Sequence, residues 1–102
     1  MAFPAALVAA FCFCAACERQ SGDNDLDPVL HGKMLFEKNR CMACHRPGGI
    51  GVSLKNIAAR MTRDEVRAWI REPKKIKPST LMPQFRLNSE ELEALTSFVM
   101  TL

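Results

Sequence analysis

The stretch from Asn39 to Gly49, "NRCMACHRPGG", sets two cysteines three apart with a histidine directly after the second. Such a group can hold a haem, a zinc ion or a reactive dithiol. A structural zinc site needs four ligands, commonly as a second close pair. No cysteine follows Cys44, and the one other histidine is His31. A thioredoxin-like dithiol should follow a buried strand in a βαβ setting, whereas this one follows an amphipathic helical pattern. Covalent haem attachment suits the spacing best. Residues three apart share a face of one helical turn, so both sulfurs can form thioethers with one porphyrin. His45 then stands next to the ring and can offer a nitrogen to the iron.

Around this motif, the chain is 102 residues long, 48% hydrophobic and 25% charged. That is enough for one globular domain and argues against disorder throughout. Residues 1–17, "MAFPAALVAAFCFCAAC", carry no charged side chain. They read as a signal peptide, the apolar run being short against the ~20 residues of a membrane span. "CAAC", ending at Cys17, also resembles a bacterial lipoprotein box, with Cys14 where such boxes usually have Leu. Cleavage, acylation of Cys17 and an uncleaved anchor are the three fates to separate, and each implies export. Residues 18–27 are polar and acidic and read as a flexible linker. Residues 28–102 form the domain, and 75 residues make so small a core that a bound group is expected to complete it. Cys12 and Cys14 fall in the signal segment. Cys41 and Cys44 are too close in sequence to be a useful staple, so the pair is there for chemistry.

The domain reads as all-α, with three main helices and two long loops. Asp27-Pro28 opens the first helix, as N-cap and first-turn proline. It should run to about Asn39 with Leu30, Met34 and Leu35 on its apolar side. The second starts at "TRDE", where Thr62 and Glu65 have capping-box spacing; Val66, Trp69 and Ile70 form its stripe and Pro73 ends it. The third is capped by Asn88 and turns Leu92, Leu95, Phe98 and Val99 inward. The connections 46–61 and 73–87 are expected to be functional loops.

Five methionines follow the linker: Met34, Met42, Met61, Met82 and Met100. Met34 and Met100 suit core filling, Met61 a helix-entry staple, and Met42 lies inside the attachment turn. Met82, in "KPSTLMPQF", stands 37 residues after His45 and next to Pro83, with Pro78 four residues before it. A loop stiffened in this way can hold a thioether at a fixed place with little entropy left to lose. Met82 is therefore the expected axial ligand opposite His45, ahead of His31.

"HGKMLFEKNRCMACH", "VRAWIREP", "KPSTLMP" and "LEALTSFVMTL" together resemble a bacterial class I monohaem cytochrome c, over roughly residues 28–102. The resemblance implies a small cytochrome c fold around one covalently bound haem c per chain. It places Gly32 and Phe36 at the crossing of the first and last helices, Phe98 as the last helix's aromatic, and Trp69 near the haem. Where the family often has Gly-Pro after the haem histidine, this chain has Gly51-Val52; the carbonyl that accepts a bond from the histidine survives without proline's rigidity. Tyrosine is absent.

His/Met ligation leaves iron no open position for oxygen or peroxide. The resemblance therefore implies a single-electron carrier, periplasmic or membrane-anchored facing the periplasm, and no enzyme by itself. The alternative is a haem-bearing electron-transfer subunit of a larger periplasmic redox enzyme, such as a sulfur-oxidising complex, whose subunits share a similar ligand loop. The net charge is +3, yet the stretch from Lys38 to Arg86 holds twelve basic residues against Asp64, Glu65 and Glu72. Lys74, Lys75 and Lys77 precede the ligand loop and imply a redox partner protein with an acidic docking face. Nucleic acid does not fit an exported haem protein.

Overall fold

The computed structural model describes residues 26–102. The signal segment 1–17 with Cys17, and linker residues 18–25, lie outside the described residues. Among the described residues there is no strand, and the domain is all-α. Three helices of three or so turns carry it: α1 (Pro28–Lys38), α3 (Arg63–Arg71) and α5 (Ser89–Val99). Two single turns, α2 (Met42–His45) and α4 (Pro73–Ile76), stand between them, with a 3-10 turn at Ile57–Ala59.

The helix starts follow from local chemistry. Pro28 opens α1 with its φ already set. Asp27 holds the N-cap position but makes no side-chain cap bond. Its carbonyl instead accepts the first helical N–H, from His31 at 2.8 Å. α3 begins with a full capping box: Thr62 Oγ1 accepts from the Glu65 N–H (3.1 Å), and Glu65 Oε1 accepts from the Thr62 N–H (2.8 Å). α5 repeats the arrangement with Asn88 and Glu91. Pro73 stops α3 by holding Glu72 out of the helical region (φ −146°, ψ 75°), and then starts α4 as its first residue. Each long connection thus contains a turn of its own, which the sequence pattern did not separate from loop.

α1 and α5 pack directly on each other, and Gly32 is the reason they can. A Cβ at Gly32 would lie 2.7 Å from both the Ala94 carbonyl carbon and Phe98 Cβ, closer than real contacts allow. Phe36 and Phe98 stack edge to face beside this point, with centroids 5.1 Å apart. The inward face of α1 is therefore Gly32, Leu35 and Phe36. Leu30 and Met34 were expected inward and are about half exposed. Hydrophobicity points toward their face, but a glycine contact has no side chain to register in such a pattern. Met100, by contrast, packs against the core as expected. Leu92, Leu95 and Val99 of α5 are buried with Val66 and Ile70 of α3, while Trp69 is half-buried.

α3 is tied to α5 by charge as well. The Glu93 carboxylate accepts from Arg67 Nε at 2.6 Å and from Nη2 groups of Arg67 and Arg63, each at 3.0 Å. Arg63 also donates to Ser97 Oγ at 2.9 Å. Hydrogen bonds from Arg67, then Arg63, lower the Glu93 carboxyl from an ordinary 4.5 to about 2. A carboxylate more acidic in the folded state stabilises that state above its unfolded-state pKa. The contribution fades as pH falls from about 4.5 toward 2. Glu93→Gln should accordingly lower the thermal unfolding midpoint near neutral pH, and the gap to wild type should close across that acid window. A gap that is constant with pH would assign the effect to packing.

Candidate haem site

The attachment turn is delivered by the way α1 ends. The Cys41 N–H donates to the Phe36 carbonyl (3.2 Å) and the Arg40 N–H to the Glu37 carbonyl (3.1 Å), the two bonds of a Schellman cap. That cap puts Arg40 in the left-handed region, φ 57°, a conformation costing a non-glycine residue about 1–2 kcal/mol. α2 follows at once. The His45 N–H donates to the Cys41 carbonyl at 3.1 Å, closing a turn that gathers Cys41, Cys44 and His45 at one wall of a cavity. Both cysteines are free thiols, and burial raises the Cys41 pKa, with a backbone hydrogen bond opposing it. Cys41 is thus a neutral thiol packed against the core, unlike the activated thiolate of a dithiol catalyst. Among the described residues no three His, Cys, Asp or Glu side chains, these included, are placed so that they could hold a metal ion between them.

His45 is oriented by the loop that follows it. Its Nδ1 lies 2.8 Å from the Val52 carbonyl oxygen. A carbonyl only accepts, so Nδ1 is the donor, and in the neutral tautomer with this bond the lone pair is on Nε2. The bond expected from the Gly51-Val52 departure is therefore made without proline. Gly51 makes room for it: a Cβ there would stand 2.8 Å from His45 Nδ1 and 2.9 Å from Cε1. The Gly51 N–H donates to the Cys44 carbonyl at 2.7 Å, folding the loop back onto α2.

The cavity has a volume of about 760 Å³ and mostly apolar walls from α1, α3, α5 and the 3-10 turn, including Phe36, Ile57, Val66, Ile70 and Leu95. Trp69 lines it, as the resemblance implied, and Met82 reaches it from the connection 77–87. Met61 lines it too, which its position before the α3 cap did not announce. Met42 is about half exposed, and neither it nor His31 is among the lining residues. Ile50, Val52 and Leu81 frame the mouth and are 75%, 62% and 80% exposed. Ile57, Asn39 and Thr80 also line it. They lie in turns and loops, where no periodicity marks them.

The three lysines before the Met82 segment are in different situations. Lys74 Nζ donates to the Thr80 carbonyl at 2.8 Å. Lys75 pairs with Glu72 at 3.4 Å and is otherwise in solvent. Lys77 is exposed beside the cavity.

Two thiols on one turn, an imidazole beside them and apolar walls suit a covalently held haem, and the thioethers on the cavity are among the groups that can ligate haem iron. The chain belongs to the cytochrome c family: the family model described as Cytochrome c matches residues 29–102. Membership implies covalently bound haem c and a role in electron transfer. Similar curated proteins are "Cytochrome c oxidase subunit 2" of Alkalihalophilus pseudofirmus, 30% identical over 84 residues, and a nitric oxide reductase subunit of Stutzerimonas stutzeri, 27% identical over 92 residues. The matches cover 70% and 80% of this chain, but 25% and 63% of the relatives. The chain therefore spans less than two thirds of either. No solved structure matches.

Gly51 offers a direct check on the histidine geometry. Gly51→Ala should destabilise the haem-loaded protein by about 1–3 kcal/mol, as overpacking does. It should also shift the His45 Nδ1–H resonance in the NMR spectrum of the reduced protein. An unmoved resonance would mean that the loop absorbs the extra methyl without turning the ring.

Proposed function

We propose that the domain is a single-electron carrier in which Cys41 and Cys44 bind haem c through thioethers and His45 and Met82 ligate its iron. The observation that carries this reading is the convergence of all four residues on one apolar cavity, with His45 Nε2 left available by the Val52 bond. Haem c supplies a one-electron iron couple when bound. The protein's part is to hold ligands, exclude water and set the potential, which apolar walls and a methionine ligand both raise. With both axial positions filled, the domain has no vacant site for substrate and is not an enzyme by itself. Replacing Cys41 and Cys44 by Ala should release haem to acid-acetone extraction, which the wild type resists. Met82→Ala should remove the far-red charge-transfer absorption of a methionine-ligated ferric haem, lower the potential and admit cyanide. Met61→Ala should do none of these; the reverse pattern would move the ligand to Met61.

A second reading has one observation in its favour. Both relatives are by name subunits of larger redox enzymes, an oxidase and a nitric oxide reductase. The domain then serves as the haem-bearing subunit of such an assembly, and the sulfur-oxidising complex is one form of it. Purification from native membranes separates the readings, since a stoichiometric partner supports the subunit and its absence the free carrier. Export to the periplasm, with or without a lipid on Cys17, belongs to the same proposal. No helix among the described residues is long and apolar enough to cross a membrane. Mass spectrometry of the mature amino terminus decides between a lipidated Cys17, a cleaved soluble chain and an uncleaved anchor.

The partner of either form is proposed to present an acidic face to the basic margin of the cavity. Lys77, exposed beside the cavity, and Lys75, exposed in a longer ion pair with Glu72, test this, because Lys74 donates to the backbone of the Met82 segment. Reversing both to Glu should slow electron transfer with the native partner at low salt. The difference should shrink as salt shortens the screening length to ~10 Å. Equal rates at low ionic strength would leave these lysines a solubility role alone.

A further inference from the structure

The segment that presents Met82 has little regular structure to hold it. From Lys77 to Asn88 the chain belongs to no helix. Its fixed point is Thr80, which is held at three atoms. The Thr80 N–H donates to the Lys77 carbonyl at 2.9 Å, closing a β-turn with Pro78 at the position proline favours. Thr80 Oγ1 accepts the Met82 N–H at 3.1 Å, which sets the backbone of Met82 itself. The Thr80 carbonyl accepts from Lys74 Nζ at 2.8 Å. The second bond lies within the segment and moves with it, while the first is a backbone bond to Lys77, whose own N–H donates to the Pro73 carbonyl at 3.0 Å where α4 ends. Among the described residues, the third is the side-chain hydrogen bond that ties the stretch 78–87 to an element outside it. That element is well anchored, since α4 begins at Pro73, which is fully buried.

We infer that Lys74 is a positioning residue: by holding the Thr80 carbonyl it fixes the loop that carries Met82, and so governs how readily Met82 leaves the iron. The inference rests on the reading that Met82 is the axial ligand. The ordinary alternative is a surface lysine whose contact with Thr80 contributes nothing, and a solvated lysine commonly is that. Two features set Lys74 apart from Lys75 one residue on. Its acceptor is a backbone carbonyl two residues from Met82, and that residue's hydroxyl also sets the Met82 N–H. Lys75 meets only the Glu72 carboxylate, on its own helical turn. The two lysines carry the same charge at nearly the same place, so one controls for the other.

The test uses the haem-loaded protein and reads cyanide association to the ferric form together with the far-red charge-transfer band. Both are read at temperatures below every variant's unfolding transition. Lys74→Met keeps the stem and removes the donor. It should speed cyanide association by about tenfold, the scale of one hydrogen bond from a charged group, and weaken the band on warming. Lys74→Arg, which can still donate, should stay within about twofold of wild type. Lys75→Met should do the same if charge alone has little effect. Met82→Ala supplies the limit, with the band lost. A wild-type cyanide rate in Lys74→Met, with the band lost in Met82→Ala, would overturn the role of Lys74 and leave the ligand reading standing. Acceleration in Lys75→Met equal to that in Lys74→Met would assign the effect to surface charge and overturn it as well. A band that survives in Met82→Ala would remove the ligand reading and the Lys74 role together.

Discussion

The contact of α1 with α5 at Gly32 is what holds the remainder of the domain in place. Two helices can approach this closely only where one has no Cβ, and here the missing atom would fall on the Ala94 backbone. The approach brings Phe36 onto Phe98 and turns Leu35 and Phe36 inward beside Leu95 and Val99. Phe36, Leu95 and Val99 are also cavity wall. The core and the site therefore share residues, and the last turn of α1 leads straight into the attachment motif. In so small a domain there is no second layer to insulate one from the other.

The reactive groups sit on pieces that would have no structure in isolation. α2 is a single turn, and its stability comes from the Schellman cap behind it and the Gly51 hydrogen bond in front. Such a turn is far too short to nucleate alone. The Met82 segment is likewise held by Pro78, Thr80 and Lys74 rather than by a ladder of backbone bonds. Rigid helices provide the frame, while short-range bonds aim His45 and Met82 at the cavity, as is general for sites built on loops.

Charge is divided between two tasks. Arg63, Arg67 and Glu93 lock α3 to α5, and the shared carboxylate explains the acidity of Glu93. Lys77 stays exposed beside the cavity, and Lys75 is exposed with Glu72 as its ion-pair partner. A count of basic residues along the chain merges these tasks. It treats Arg63 and Arg67 as part of the same excess as Lys77, although their charge is largely neutralised within the fold.

Features that depend on near neighbours were legible in the residues alone. The capping residues Thr62 and Asn88, the proline at the start of α1, the stop at Pro73 and the cysteine-histidine turn are all local chemistry. They lie in the structure where that chemistry placed them. Family membership was equally legible, because its motifs are short and ordered along the chain. Packing between residues far apart settled the rest. It turned Gly32 inward and left Leu30 and Met34 half exposed, because a helix crossing is selected by absent atoms as much as by apolar ones. It brought Met61 to the cavity alongside Met82, and Ile57 into the core from a stretch without periodicity. It also separated Lys74 from Lys75, since a hydrogen bond to a carbonyl six residues on depends on a turn whose geometry no single residue encodes.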